Sequence, residues 1–225
     1  MIYHDLEITT EGKVSMILTP SEAAGRTGDG FVTAFFWRKN PVLERIQQVI
    51  AENCCGELCS LRFTWSRPKR FATGEREFLY DTFAAMLDGA QQLAGAEFRS
   101  LYVEKVPGMN NLFALVRFGN EVVAECELNE CLPETMPDIC FVKANFSNGH
   151  VTNQPLVGYF NEEGMVFATD EILEFPVAEL ASLPPANGPV EQMKQRFTEA
   201  ARLGLVPPGP GNAAAIQTMI REALR

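Results

Sequence analysis

Leu79-Tyr-Asp-Thr-Phe-Ala-Ala-Met-Leu-Asp-Gly-Ala-Gln-Gln-Leu-Ala-Gly95 is the run from which the rest of the 225-residue chain is read. Phe83, Met86, Leu87, Ala90 and Leu93 recur at helical spacing, and Gly95 is placed to end the helix they define. At 3.6 residues per turn, positions 81, 85 and 88 fall along one stripe. Two of the three are aspartates. A redox enzyme working from such a stripe wants histidine in the middle, because imidazole exchanges a proton near neutral pH. Ala85 stands there instead. Taken alone, Asp81 and Asp88 read as a solvated helix face.

The flanks add context. Arg38-Lys-Asn-Pro41 precedes Val42-Leu-Glu-Arg-Ile-Gln-Gln-Val-Ile50 and Cys55-Gly-Glu-Leu-Cys-Ser-Leu-Arg62. Later come Val157-Gly-Tyr-Phe-Asn-Glu-Glu-Gly164, Glu199-Ala-Ala-Arg-Leu-Gly-Leu-Val-Pro-Pro208 and Asn212-Ala-Ala-Ala-Ile-Gln-Thr-Met-Ile-Arg221. In order and spacing, from roughly Pro20 onward, these segments resemble the C-terminal substrate and dimerisation domain of the Gfo/Idh/MocA oxidoreductase family. Asp81, Asp88 and Gly95 match the family's Asp-x-x-x-His-x-x-Asp and following glycine in register, with Ala85 at the histidine. The resemblance implies an α+β fold of the glyceraldehyde-3-phosphate dehydrogenase C-terminal type. Its large, predominantly antiparallel sheet would carry helices on one face and leave the other open for dimerisation. Residues 1–225 are read as one such domain, with 1–30 a divergent hairpin and turn segment.

Family members hold a nicotinamide cofactor in a Rossmann half, whose Gly-x-Gly-x-x-Gly brings backbone amides against the pyrophosphate. That pattern is absent, and Gly25, Gly28 and Gly30 read as a polar loop. The family's Glu-Lys-Pro is missing too; Lys13, ahead of Leu18-Thr-Pro-Ser-Glu-Ala23, is followed by valine. The expectation is a domain standing without its Rossmann half, inactive alone, with no catalytic, cofactor-binding or metal residues. NAD(P) would enter only with a separate Rossmann-domain partner. The surface matching the family's substrate site would present Trp37, Arg38, Trp65, Asp81 and Asp88, where stacking and bidentate hydrogen bonds suit a polyhydroxylated ligand. In the competing reading the tryptophans are core or interface anchors and Arg38 pairs structurally with an acid.

Composition narrows the class. The apolar content of 46% argues against disorder, and a net charge of −10 argues against nucleic acid. No apolar run approaches eighteen residues and the first residues carry no signal-peptide pattern, so a cytoplasmic, non-membrane protein is expected. Six cysteines without a Cys-x-x-Cys pair, and only His4 and His150, fit free and mostly buried thiols better than a metal site. His150 reads as a turn residue.

Strands are expected at Ile2–Thr9, Lys13–Leu18, Phe31–Trp37, Leu58–Trp65, Phe98–Glu104, Asn111–Phe118, Val122–Leu128, Ile139–Asn145, Val151–Tyr159 and Met165–Thr169. A tight turn is expected at Asn161–Gly164. Helices follow Pro41 and cover about Val190–Leu203 and Ala213–Leu224. An uncovered apolar sheet face calls for a partner, so a homodimer or a docked protein is expected. Three functions fit: a non-catalytic homologue binding a sugar-like molecule or a protein; the substrate subunit of a split NAD(P)-dependent oxidoreductase; or an enzyme using Asp81 and Asp88 as an acid/base pair.

Overall fold

The computed structural model describes residues 7–10, 13–68, 76–154, 164–168, 172–176 and 189–225. Its centre is an eight-stranded sheet. The strands are β4 (Leu58–Pro68), β5 (Phe98–Lys105), β6 (Asn111–Phe118), β7 (Val123–Leu132), β8 (Ile139–Phe146), β9 (Gly149–Thr152), β10 (Gly164–Ala168) and β11 (Ile172–Pro176). They lie in the order β11-β10-β9-β8-β4-β7-β6-β5. Every pairing is antiparallel except β4 with β7, so the sheet is the predominantly antiparallel one expected.

Alternation of side chains sets the two faces. Leu61, Phe63 and Trp65 of β4 point inward with Leu112, Ala114, Val116 and Phe118 of β6 and Ala124, Cys126 and Leu128 of β7. The long helix α3 (Arg76–Ala94) packs on this face across β4, β6 and β7, while α2 (Pro41–Glu52) packs against β8. Asn40 caps α2 by accepting from the Val42 amide at 2.8 Å, with Pro41 in the first turn, where its missing N–H is harmless. Gly95 ends α3 at φ 65°, its amide donating to the Gln91 carbonyl. The opposite face carries no helix among the described residues. It is mixed rather than apolar: Tyr102, Phe113 and Leu115 are exposed, beside the Arg62–Glu125 ion pair and Arg117.

A second sheet of β1 (Glu7–Thr10), β2 (Lys13–Leu18) and β3 (Phe31–Thr33) holds the N-terminal hairpin, with β2 and β3 parallel. The short helix α1 (Pro20–Ala23) separates β2 from β3. The helices α4 (Pro189–Arg202) and α5 (Ala213–Ala223) complete the layer: α4 meets β8 and the 3-10 helix Phe36–Lys39, and α5 lies on α1, α3 and β5.

Several expectations shift. Phe31–Trp37 is not one strand; it turns into the 3-10 helix after Thr33, because all seven of its side chains are buried and no face is left for alternation. Of the strand expected at Val151–Tyr159, residues 155–159 lie outside the described residues; the described part is β9, ending at Thr152, where Asn153 folds back to accept from the Val142 amide and donate to the Cys140 carbonyl. His150 lies in that strand rather than in a turn. β11 was not anticipated. Cys54, Cys59 and Cys131 are exposed, so the free thiols are not mostly buried. His4 and most of the Asn161–Gly164 turn lie outside the described residues. No helix among the described residues is long and apolar enough to cross a membrane.

α3 comes close to Trp37 at Gly89. A Cβ there would sit 3.0 Å from the Trp37 Cβ and 3.1 Å from a Leu43 methyl. Alanine is favoured over glycine by about 1 kcal/mol in a helix, but overpacking costs about 1–3 kcal/mol. Gly89→Ala is therefore expected to lower the urea unfolding free energy; a gain in stability would contradict the close packing of α3.

Candidate functional site

Every residue of α3 from Asp81 to Ala90 is buried. The sheet covers one side. The 3-10 helix, α1 and α5 cover the others, brought close by the small residues Ala84, Ala85, Gly89 and Ala90. Ala85 itself is 0% exposed. The stripe singled out in the sequence is thus an interior seam rather than a solvated face.

Asp81 faces α1. Its Oδ1 accepts from the Ser21 amide at 2.7 Å and the Ser21 hydroxyl at 2.6 Å, and from Gln217 of α5 at 3.3 Å. Ser21 is held by a capping box, in which Thr19 and Glu22 satisfy each other's backbone amides. Burial pushes the Asp81 carboxyl above its ordinary 3.8; the Ser21 hydrogen bonds oppose the rise.

Asp88, two turns further along α3, faces the 3-10 helix. Arg38 grips it with two hydrogen bonds, Nε to Oδ2 at 2.6 Å and Nη2 to Oδ1 at 2.7 Å. This is the bidentate geometry that a planar guanidinium favours. Asp88 is buried while the Arg38 side chain keeps 28% of its surface exposed. The hydrogen bond with Asp88 raises the Arg38 pKa, while burial pushes the Asp88 carboxyl above its ordinary value against the pull of Arg38. The guanidinium also lies 5.1 Å from the centre of the Phe35 ring.

The five residues anticipated as a pocket do not form one. Trp37 and Trp65 are both 0% exposed and pack edge to face at 6.3 Å, with Phe63 against Trp37 and Phe36 against Trp65. They are core anchors and present no ring to a ligand. Asp81 and Asp88 are separated by about 10 Å of helix rise. Of the five, Arg38 and Asp88 line a cleft of about 310 Å³ at the end of α3, shared with Gln91, Gln92, Glu97 and Asn212. Gln91 donates to Glu97 at 2.9 Å and accepts from the Asn212 amide.

Gln91 and Gln92 follow Asp88 by three and four residues, so helical spacing places them beside it. Asn212, 121 residues from Gln91, carried no such signal. Nor did the buried pair Arg67–Glu130, 3.3 Å apart at the ends of β4 and β7, with Arg67 lying 4.9 Å from the Trp65 ring centre. Among the described residues, no three His, Cys, Asp or Glu side chains converge as a metal site requires.

No protein-family model and no curated protein sequence matches the chain. Solved structures do. An oxidoreductase from Agrobacterium radiobacter, in complex with NAD+, L-tartaric acid and magnesium, aligns with TM-score 0.60 at 14% identity over 86% of this chain and 61% of its own. Levoglucosan dehydrogenase, in complex with NADH and L-sorbose, aligns with TM-score 0.58 at 15% identity over 85% and 63%. A UDP-N-acetylglucosamine 3-dehydrogenase from Acidithiobacillus ferrooxidans aligns with TM-score 0.57 at 12% identity over 86% and 62%. The chain thus spans about three-fifths of the length of the structures it matches. These are Gfo/Idh/MocA-type oxidoreductases, and what the chain shares with them is the fold of their C-terminal domain.

Asp81 supplies a test of the seam. Its folded pKa lies above 3.8, so its contribution to stability is fully present below that pH and is lost as pH rises through the folded value. Against Asp81→Asn, which keeps the acceptor oxygen, the native protein is expected to lose relative stability between pH 3 and pH 7 in urea unfolding. A relative gain over that range would contradict the burial of this carboxyl.

Proposed function

We propose that the chain is a non-catalytic homologue of the substrate domain of Gfo/Idh/MocA oxidoreductases and works by binding. The observation that carries this reading is the state of α3: Asp81 and Asp88 are each engaged by structural donors, and buried Ala85 stands where the family's proton-exchanging histidine belongs. Proton transfer from that stripe needs a titratable group in contact with substrate, and its two carboxyls are buried on structural donors. The same facts count against an acid/base pair, whose members must share a substrate.

Two surfaces are left for binding. The cleft at the end of α3 suits a small polar ligand. The open sheet face, with Tyr102, Phe113 and Leu115 among opposite charges, suits a second copy of the chain. No cofactor is assigned to this domain, and the cytoplasm is its proposed location.

A second reading is favoured by the solved structures bound to NAD+ or NADH. Here the chain is the substrate subunit of a split oxidoreductase, and a separate Rossmann chain brings the nicotinamide. The two readings part on activity once a Rossmann-domain partner chain is supplied: the second expects turnover and the first none. On the first, purified protein incubated with NAD+ or NADP+ and levoglucosan, myo-inositol or D-glucose shows no absorbance change at 340 nm, and light scattering at micromolar concentration gives twice 25.0 kDa. Nicotinamide reduction that disappears in the Asp81→Asn protein would overturn the non-catalytic reading. A 25.0 kDa particle would overturn the dimer.

A further inference from the structure

The cleft at the end of α3 holds a charge pattern that its part in the fold leaves unused. Arg38 gives Nε and Nη2 to Asp88, and its Nη1 has no hydrogen-bond partner among the described residues. Glu97 receives Gln91 on Oε2, leaving Oε1 without a partner, and the Gln92 side chain makes no hydrogen bond among the described residues either. Gly95 and Ala96, which also line the cleft, belong to the turn that closes α3, where the helix presents its negative end. Asn212 and Glu97, joined through Gln91, fix the walls. One small cavity therefore offers a guanidinium edge and, within the same lining, a carboxylate beside a helix C-terminus.

We infer that this cleft binds a small zwitterion of the amino-acid class, its carboxylate on the free edge of Arg38 and its ammonium on Glu97 at the carbonyl end of α3. The guanidinium fork has five N–H groups, so Arg38 can hold Asp88 on one edge and a second carboxylate on the other. A simple anion gains at Arg38, whose charge Asp88 already balances, and is repelled by Glu97. A simple cation gains at Glu97 but leaves the free edge of Arg38 unanswered. A neutral polyol makes only uncharged hydrogen bonds, roughly half as strong as charge-assisted ones. A molecule with both charges answers every group. The volume of about 310 Å³ restricts it to a small one, since ligand pockets run from about 300 to 1,000 Å³. This inference rests on the reading of the chain as a binder and names the ligand class of that site.

The test is isothermal titration of the full chain with L-serine and L-glutamine, against propionate, propylamine and myo-inositol. At least one amino acid is expected to bind with a Kd tenfold or more below those of all three analogues. Glu97→Gln keeps a side-chain oxygen for Gln91 at an exposed position, so its melting temperature is expected to be unchanged while amino-acid affinity falls tenfold or more. Because Arg38 also holds Asp88, its side of the contact is tested through propylamine, which lacks the carboxylate. No amino-acid binding at 10 mM, analogues binding equally well, or full affinity in Glu97→Gln would each overturn the inference. Those results would leave the non-catalytic reading standing. Nicotinamide-dependent turnover would instead remove that reading and leave amino-acid binding in place.

Discussion

A carboxylate removed from water must be met by donors, and α3 buries two. Asp88 is met by Arg38 and Asp81 by Ser21, and these two contacts tie the pieces laid over the helix to it. Arg38 brings in the 3-10 helix, and with it Trp37. Ser21 brings in α1, which in turn supports α5. A buried ion pair adds little net stability over an apolar replacement, but losing one partner leaves a charge stranded at about 3–5 kcal/mol. Geometric specificity is therefore the main contribution of the Arg38–Asp88 pair, which admits one seating of the 3-10 helix on α3.

That seating decides what the chain can do. The fold is that of the C-terminal domain of structures such as levoglucosan dehydrogenase, and the long helix of this chain carries Asp81 and Asp88. Their oxygens are committed inside the protein, and the position between them is a packed methyl group. What remains open lies elsewhere: a polar cleft past the second aspartate and the bare side of the sheet. The bare side mixes exposed Phe113 and Leu115 with Arg62, Glu125 and Arg117, so it is not a purely apolar surface.

The sheet was legible because each of its inner strands alternates. Leu112, Ala114, Val116 and Phe118 mark the core face of β6 without any tertiary knowledge. Helix ends were legible through Pro41 and Gly95, whose backbone chemistry is local. Phe31–Trp37 misled because wholly buried residues carry no period. The burial of Trp37 and Trp65 was one of two readings the sequence left open, since a tryptophan suits a core and a sugar face equally well. The insertion of β4 between β7 and β8, and the arrival of Asn212 beside Gln91, depend on contacts across long stretches of chain that local pattern does not encode. Asp81 and Asp88 were found by sequence for their spacing, and the competing reading paired Arg38 with an acid; the Asp81 partners Ser21 and Gln217 were not found.

Introducing the absent side chain probes the closed seam most directly. In Ala85→His, the imidazole has to enter a site with no exposed surface, so a loss of about 1–3 kcal/mol in unfolding free energy is predicted. By NMR, the new histidine is predicted to stay neutral well below the ordinary imidazole pKa of about 6.5. Undiminished stability, with an imidazole titrating at its ordinary value, would mean that the stripe is open to solvent and free for chemistry.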